Sequence, residues 1–417
     1  MAAALLLIVC CDSGTDSRVL AFSNDGELLW SSVNSDGTAF SMTIDYGSPA
    51  IADLDGDGFA EIIHWGTVIE HDGTLRFSYR ADGHWLGAAY DVDGDDQLEV
   101  IASNGVWEAD GSVLWEDASL PEGFIALADF FDDDMPDIVV VHDAQLSILR
   151  GVDGELIWGP VDQPGGGSPG GPPTVADFDG DGEPEIGVAG RVSYAVYDPD
   201  GPTEILWSST SQDASSGKTG SSVFDFDGDG RAEVVYNDEC YMRVYSGLDG
   251  TILEQVAQNS HTRIEYPVIV DVDADGNAEI VFAGNSAVHR CGTSGYDGYI
   301  AGVRVFRDAA DNWVGTRTVW NQHAYSITHI REDLRVPEDV TPNWRRFNSF
   351  RQNPQSFDAP DLVGAEVESD VTECPTTLTL TFVSIRGLVR RSRICTTSTM
   401  TETPVFHHLR GRPPGQH

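Results

Sequence analysis

Asp53-Leu54-Asp55-Gly56-Asp57-Gly58-Phe59-Ala60-Glu61 places acids at positions 1, 3, 5 and 9 of a nonapeptide and glycine at positions 4 and 6. Five copies or near-copies follow, beginning at Asp91 (DVDGDDQLE), Asp129 (DFFDDDMPD), Asp177 (DFDGDGEPE), Asp225 (DFDGDGRAE) and Asp271 (DVDADGNAE), at steps of 38, 38, 48, 48 and 46 residues. One acidic loop in every period of that length marks a repeat architecture.

The loop chemistry suits calcium, a hard cation that takes about 6–8 oxygens in a flexible cage. Carboxylates at 1, 3 and 5 curl round the ion, glycines at 4 and 6 supply the turning backbone angles, position 7 offers a carbonyl, and the acid at 9 closes the site. The ligand sets are then Asp53, Asp55, Asp57, Phe59 and Glu61; Asp91, Asp93, Asp95, Gln97 and Glu99; Asp129, Asp133, Met135 and Asp137; Asp177, Asp179, Asp181, Glu183 and Glu185; Asp225, Asp227, Asp229, Arg231 and Glu233; and Asp271, Asp273, Asp275, Asn277 and Glu279. Up to six calcium ions are expected, the third copy being the weakest because Phe131 stands at position 3 and Asp132 at the first glycine position. The sixth has Ala274 at its first glycine position. One such nonapeptide also reads as a solvated acidic turn; six in register do not. The helical calcium loop closes with Glu at position 12. This one closes at 9 and runs into a β-branched stretch, so it belongs to a hairpin.

Around each loop the same order recurs. A short strand leads in (Pro49–Ala52, Ile125–Ala128, Pro173–Ala176, Pro267–Val270), an apolar run leaves, and a third strand ends in an Asp-Gly pair at 72–73, 110–111, 153–154, 200–201 or 249–250. Asp-Gly suits a two-residue hairpin turn. A fourth strand closes each unit at Phe77, Trp115, Trp158 or Trp207. Four short strands per repeat predict an all-β chain of propeller blades. Residues 4–30 carry the last three strands of a further repeat without its first strand and loop, which makes seven blades with the first incomplete. Met1–Cys11 also reads as a lipoprotein-type targeting segment, although it lacks a basic start and a small-residue cleavage site. The propeller spans 1–320, and Gly159–Pro173 is a Gly/Pro-rich surface loop within it.

The 417 residues hold 24 basic and 68 acidic side chains, a net charge of −44, and the six loops hold 27 of those acids. This balance argues against nucleic acid and anionic membrane surfaces as partners. No apolar stretch reaches the ~18 residues of a spanning helix. Of six cysteines, none lies in a zinc pattern. Cys240 and Cys291 fall at similar points of consecutive repeats, so a disulfide between them and two free thiols are both open.

Beyond Trp320 the repeat stops. Residues 321–360 read as an irregular C-terminal wrap, with Ala324–Ile330 a candidate for the strand missing from the first blade. Residues 361–417 read as the start of a β-domain, clearest at Leu378–Phe382. From Leu378 onward there are six arginines, no lysine and one acid, Glu402. That reversal predicts a disordered basic tail, through an out-of-frame or truncated end or as an arm that contacts the acidic body.

The loop Asp-x-Asp-Gly-Asp-Gly-x-x-Glu, set behind a Pro- or Gly-led strand in repeats of this length, resembles the FG-GAP/VCBS repeats of integrin α-subunit propellers and bacterial surface proteins. The resemblance covers about residues 4–320 and is specific through the six loops; Gly170-Gly171-Pro172-Pro173 is the nearest remnant of the name-giving Phe-Gly-Gly-Ala-Pro. It implies a seven-bladed propeller, structural calcium at the loops, and binding through the opposite face.

Three functions compete. The first is a non-enzymatic, monomeric, extracellular or cell-surface propeller that binds an unidentified protein or glycan in an adhesion-like role. The second is a polysaccharide-active, lyase-like enzyme, for which His64, His84, His142, His261, His323 and Tyr325 are the available groups, at unrelated repeat positions. The third is a fragment of a larger surface adhesin.

Overall fold

The computed structural model describes residues 18–23, 25–40, 48–79, 86–167, 169–285, 291 and 302–356, with the strand backbones Leu7–Ile8, Thr377–Val383 and Val389–Cys395. Two units divide the chain, Met1–Asp358 and Ala359–His417.

The first unit is a succession of antiparallel sheets, one per repeat. Blade one is three-stranded (Leu7–Ile8, Leu20–Phe22, Leu28–Ser31). Blades two to six each have four strands in sequence order, within residues 50–78, 88–116, 124–162, 174–210 and 221–257. Blade seven has three described strands, Val268–Val270, Glu279–Gly284 and Gly302–Phe306. Leading strands of successive blades lie against one another, as Ala50–Ala52 does against Ala88–Tyr90 and Thr174–Ala176 against Ser221–Phe224. They form the inner ring of a β-propeller, and the fourth strands, with Val113, Leu156 and Ile252 exposed, form its outer edge.

The hairpins before the fourth strands of blades two and three correct the two-residue turn expected of Asp-Gly there. Gly73 N donates to Glu70 O and Glu70 N to Thr74 O, Gly111 repeats this with Glu108 and Ser112, and the register slips by one residue at Val68/Ile69 and Val106/Trp107. This is a wider turn with a glycine bulge. Only the glycine has positive φ, +92° at Gly73 and +85° at Gly111, while the aspartate side chain caps the turn, as Asp72 does by accepting from Thr74 N at 2.9 Å.

That glycine also joins the blades. The fourth-strand indole of one blade lies flat on the glycine of the next and donates to a carbonyl in the same turn: Trp30 to His71 O at 2.9 Å, Trp115 to Gly151 O at 2.7 Å, and Trp207 to Gly247 O. A Cβ on Gly73 would lie 2.6 Å from the Trp30 ring, and one on Gly154 would lie 2.7 Å from Trp115. Phe77 covers Gly111 in the same way without a polar bond.

The segment after blade seven crosses the inner strands. Gln322 Oε1 accepts from Ile51 N at 2.7 Å, Asn348 exchanges two bonds with the Asp129 backbone, Phe350 exchanges two with Val175, Arg351 O accepts from Val223 N, and Asn353 Nδ2 donates to Ile269 O. His329 and Trp344 lie against the Tyr90 ring. Arg351 is wholly buried: its Nε donates to His323 O at 3.0 Å and its guanidinium lies over the Tyr266 and Phe350 rings. Desolvation pulls its pKa down to about 10. The strand expected at Ala324–Ile330 does not form; Ile327–His329 is a 3-10 turn with Tyr325, Ile327 and Ile330 buried, because this stretch fills an apolar centre and does not lie along a sheet edge.

Cys240 and Cys291 are disulfide-bonded, with Cα atoms 5.5 Å apart across 51 residues of sequence. In the second unit Thr377–Val383 pairs with Val389–Cys395. The remainder of the stretch from Leu378 expected to be a basic tail lies outside the described residues.

Trp115→Ala should lower unfolding stability by about 2–4 kcal/mol, through lost ring area and one indole bond. Gly154→Ala should cost about 1–3 kcal/mol, since its φ of +73° and the ring above it both oppose a Cβ. Urea unfolding of the full chain reads both; unchanged midpoints would show that the indole–turn contact does not hold the blades.

Candidate metal centres

Each acidic loop connects a leading strand to the second strand of its blade, and all six trace one backbone path. Position 4 has positive φ whether it is Gly56 (+69°), Gly94 (+82°), Asp132 (+55°) or Ala274 (+60°); position 6 does so at Gly58 (+87°), Asp96 (+67°) and Asp134 (+66°). Non-glycine residues held there carry a conformational cost. The loop shape is therefore imposed by its bonding.

Three bonds recur. The position-1 aspartate accepts backbone N–H groups from the far side of the curl, as Asp53 does from Asp57 at 3.1 Å and Gly58 at 2.8 Å. The position-5 aspartate accepts from the N–H of position 7 (Phe59 at 2.8 Å, Arg231 at 2.9 Å). The position-9 acid accepts from the N–H of position 2: Leu54 to Glu61 at 2.9 Å, Val92 to Glu99 at 2.8 Å, Phe178 to Glu185 at 2.6 Å, Phe226 to Glu233 at 2.9 Å, Val272 to Glu279 at 2.8 Å, and more loosely Phe130 to Asp137 at 3.3 Å.

This last acid is buried in every loop. One oxygen takes the N–H, while the second oxygen of Glu61, Glu99 and Glu279 is buried without a hydrogen-bond partner. Such a group is costly unless a cation meets it. Desolvation accordingly pushes the acids up, Glu61 and Asp137 to about 7, Glu99 and Glu233 to about 8, Glu185 to about 9 and Glu279 to about 6.

The carboxylates converge. Oxygens of Asp53, Asp55 and Asp57 lie within 4.8 Å of one another, as do those of Asp91, Asp93 and Glu99, of Asp177, Asp179, Asp181 and Glu185, and of Asp225, Asp227 and Asp229. An orphaned buried oxygen beside clustered hard donors fits a divalent cation. The third loop is built differently: Phe131 is exposed, Arg345 Nε donates to Asp134 Oδ1 at 2.7 Å, and Trp344 Nε1 donates to Asp134 O.

Arginines also sit on the loops, two of them, Arg76 and Arg307, from outside the nonapeptides. Arg76 pairs with Asp55 at 2.8 Å, Arg307 lies 3.6 Å from Asp273 and Asp275, and Arg231 bridges two loops by donating to Asp179 O at 2.9 Å and Asp229 Oδ2 at 3.1 Å.

Among the described residues, the groups considered for catalysis are spread over different elements. His64 lies wholly buried within the second strand of its blade, its pKa lowered to about 4 by desolvation. His323 and Tyr325 belong to the central segment, bonded to Ile264 O and to Arg317 and Asn353. His142 bonds Glu122 O at 2.6 Å in blade four, His261 N donates to Asn285 Oδ1, and His84 lies outside the described residues.

Residues 129–188 and 225–282 match the FG-GAP-like repeat family, each span holding two acidic loops and the strands between them. Those two spans carry FG-GAP-like repeats. Among solved structures, the biofilm matrix protein Bap1 of V. cholerae superposes on this repeat chain with a TM-score of 0.68 at 19% identity, over 83% of this chain and 84% of that one. That likeness shows the fold. BamB from Moraxella catarrhalis gives 0.40 at 13% identity over 76% and 95%. The exotype rhamnogalacturonan lyase YesX gives 0.30 at 18% identity over 73% and 51%. No curated protein matches the sequence.

The raised acids fix a pH dependence. Without metal, the folded acidic loops hold protons that the unfolded chain releases near the ordinary Glu value of 4.5, so folding loses stability as pH rises toward about 9. Below pH 6.5 the buried His64 and His329, lowered to about 4, act in the opposite sense. The metal-free Tm should therefore fall between about pH 6.5 and 9, and a bound divalent cation should flatten the slope. A metal-free Tm that rises across this window would overturn the assignment.

Proposed function

We propose that this chain is a calcium-stabilised, non-enzymatic propeller that works outside the cytoplasm and binds a protein or glycan as a single chain. The observation that carries it is the buried position-9 carboxylate, repeated six times with one oxygen bonded to the loop backbone, and in Glu61, Glu99 and Glu279 with the other oxygen buried and unpartnered. Calcium suits these loops because the donors are carboxylates with the backbone carbonyls of Phe59, Gln97, Met135, Glu183, Arg231 and Asn277 available at position 7. The residues of this chain bind and orient the ion; the ion supplies charge that the clustered acids lack.

The Cys240–Cys291 disulfide supports an oxidising compartment, and sensor-grade or weaker calcium loops fill where calcium is abundant. A ligand would be chosen by loop shape and not by the blade repeat.

Removing metal tests this. A site filled at 100-fold above its Kd adds about 2.7 kcal/mol, so EGTA should lower the Tm by roughly 10 °C or more when several sites empty together. Added calcium should restore it, and an unchanged Tm would overturn the calcium reading.

A further inference from the structure

We propose that the first loop carries a second ligand set, Asp57, Glu61 and His71, which takes a transition-metal divalent ion of the zinc type. Ligand atoms of these three side chains lie within 4.8 Å of one another. The imidazole comes from the wide turn Glu70–Gly73 of the same blade, whose backbone is fixed by the indole of Trp30 bonding His71 O at 2.9 Å. Phe59 stacks on the imidazole with centroids 4.5 Å apart and planes 22° apart. Glu61 is wholly buried and its Oε1 has no hydrogen-bond partner, so one member of the set already needs a cation.

The other repeats supply an internal control. The residue preceding the Asp-Gly pair is His71 here but Ala109, Val152, Pro199 and Leu248 elsewhere. None of those side chains can ligate a metal. The loop that gains an imidazole is also one whose buried acid is left with a free oxygen. Donor chemistry then separates the ions: calcium prefers oxygen throughout, whereas an imidazole nitrogen beside carboxylates suits zinc and its neighbours. Asp57 and Glu61 belong also to the first loop's set Asp53, Asp55, Asp57, Phe59 and Glu61, so the two sets share two carboxylates and the two ions compete for this loop.

The inference deepens the metal reading of the loops and rests on their geometry. Calcium dependence is judged separately by the EGTA melt, so either reading can fail alone. The experiment is calorimetric titration of zinc into the calcium-free, tag-free full chain, held below its metal-free melting temperature, and into His71→Ala under the same conditions. His71 is exposed, and an unchanged melting temperature in calcium verifies that the variant folds. The wild type should show one zinc site that the variant lacks or binds at least about tenfold more weakly. Cobalt in place of zinc should give a visible absorption band that disappears with the imidazole. Superimposable isotherms, or a cobalt spectrum unchanged by His71→Ala, would overturn the proposal.

Discussion

A carboxylate that closes each loop from below is the constraint on which the repeat depends. The position-9 side chain reaches back to the N–H of position 2, fixing the start of the loop to its end. Because the same residue opens the second strand of the blade (Glu61, Glu99, Asp137, Glu185, Glu233, Glu279), loop closure and strand pairing share one atom set. The acid is buried for that reason, and burial leaves it short of a partner. Structural demand and cation demand thus fall on one side chain, so the spacing of nine persists even where positions 3, 4 or 6 are altered.

Two further contacts turn independent hairpins into a ring. At the outer edge an indole of one blade rests on the turn glycine of the next. At the inner edge residues 322–353 bond to leading strands of five blades and pack on a sixth. Asn348 acts as a backbone substitute there, offering Oδ1 and Nδ2 to the N–H and C=O of Asp129. Buried Arg351 is satisfied by carbonyls and aromatic faces.

The blades were legible because loop and strand alternation are local and repeated. The six acids at position 9, the leading strands and the closing aromatics could be read residue by residue. The turn type was not, since Asp-Gly serves both a two-residue hairpin and the wider bulged turn, and the choice is made by the indole above Gly73 or Gly154. Nor could the repeat reveal the central segment: Gln322, Asn348 and Arg351 occur once each, and their partners lie 28 to 271 residues away. Arg76 and His71 escaped notice for a related reason. They meet the first loop through the fold of their own hairpin, where sequence distance conceals proximity.

The late position of the central segment sets an order of events for a growing chain. Blades two to six contain their own strands and loops, so each can form soon after it emerges. The inner ring stays open until Phe350, Arg351 and Asn353 have been made, because these supply partners to Val175, Val223 and Ile269. Until then Val175, Val223 and Ile269 lack these backbone partners. Placing the plug last makes the ring's completion a single concluding step, taken when every blade is already available to be clasped.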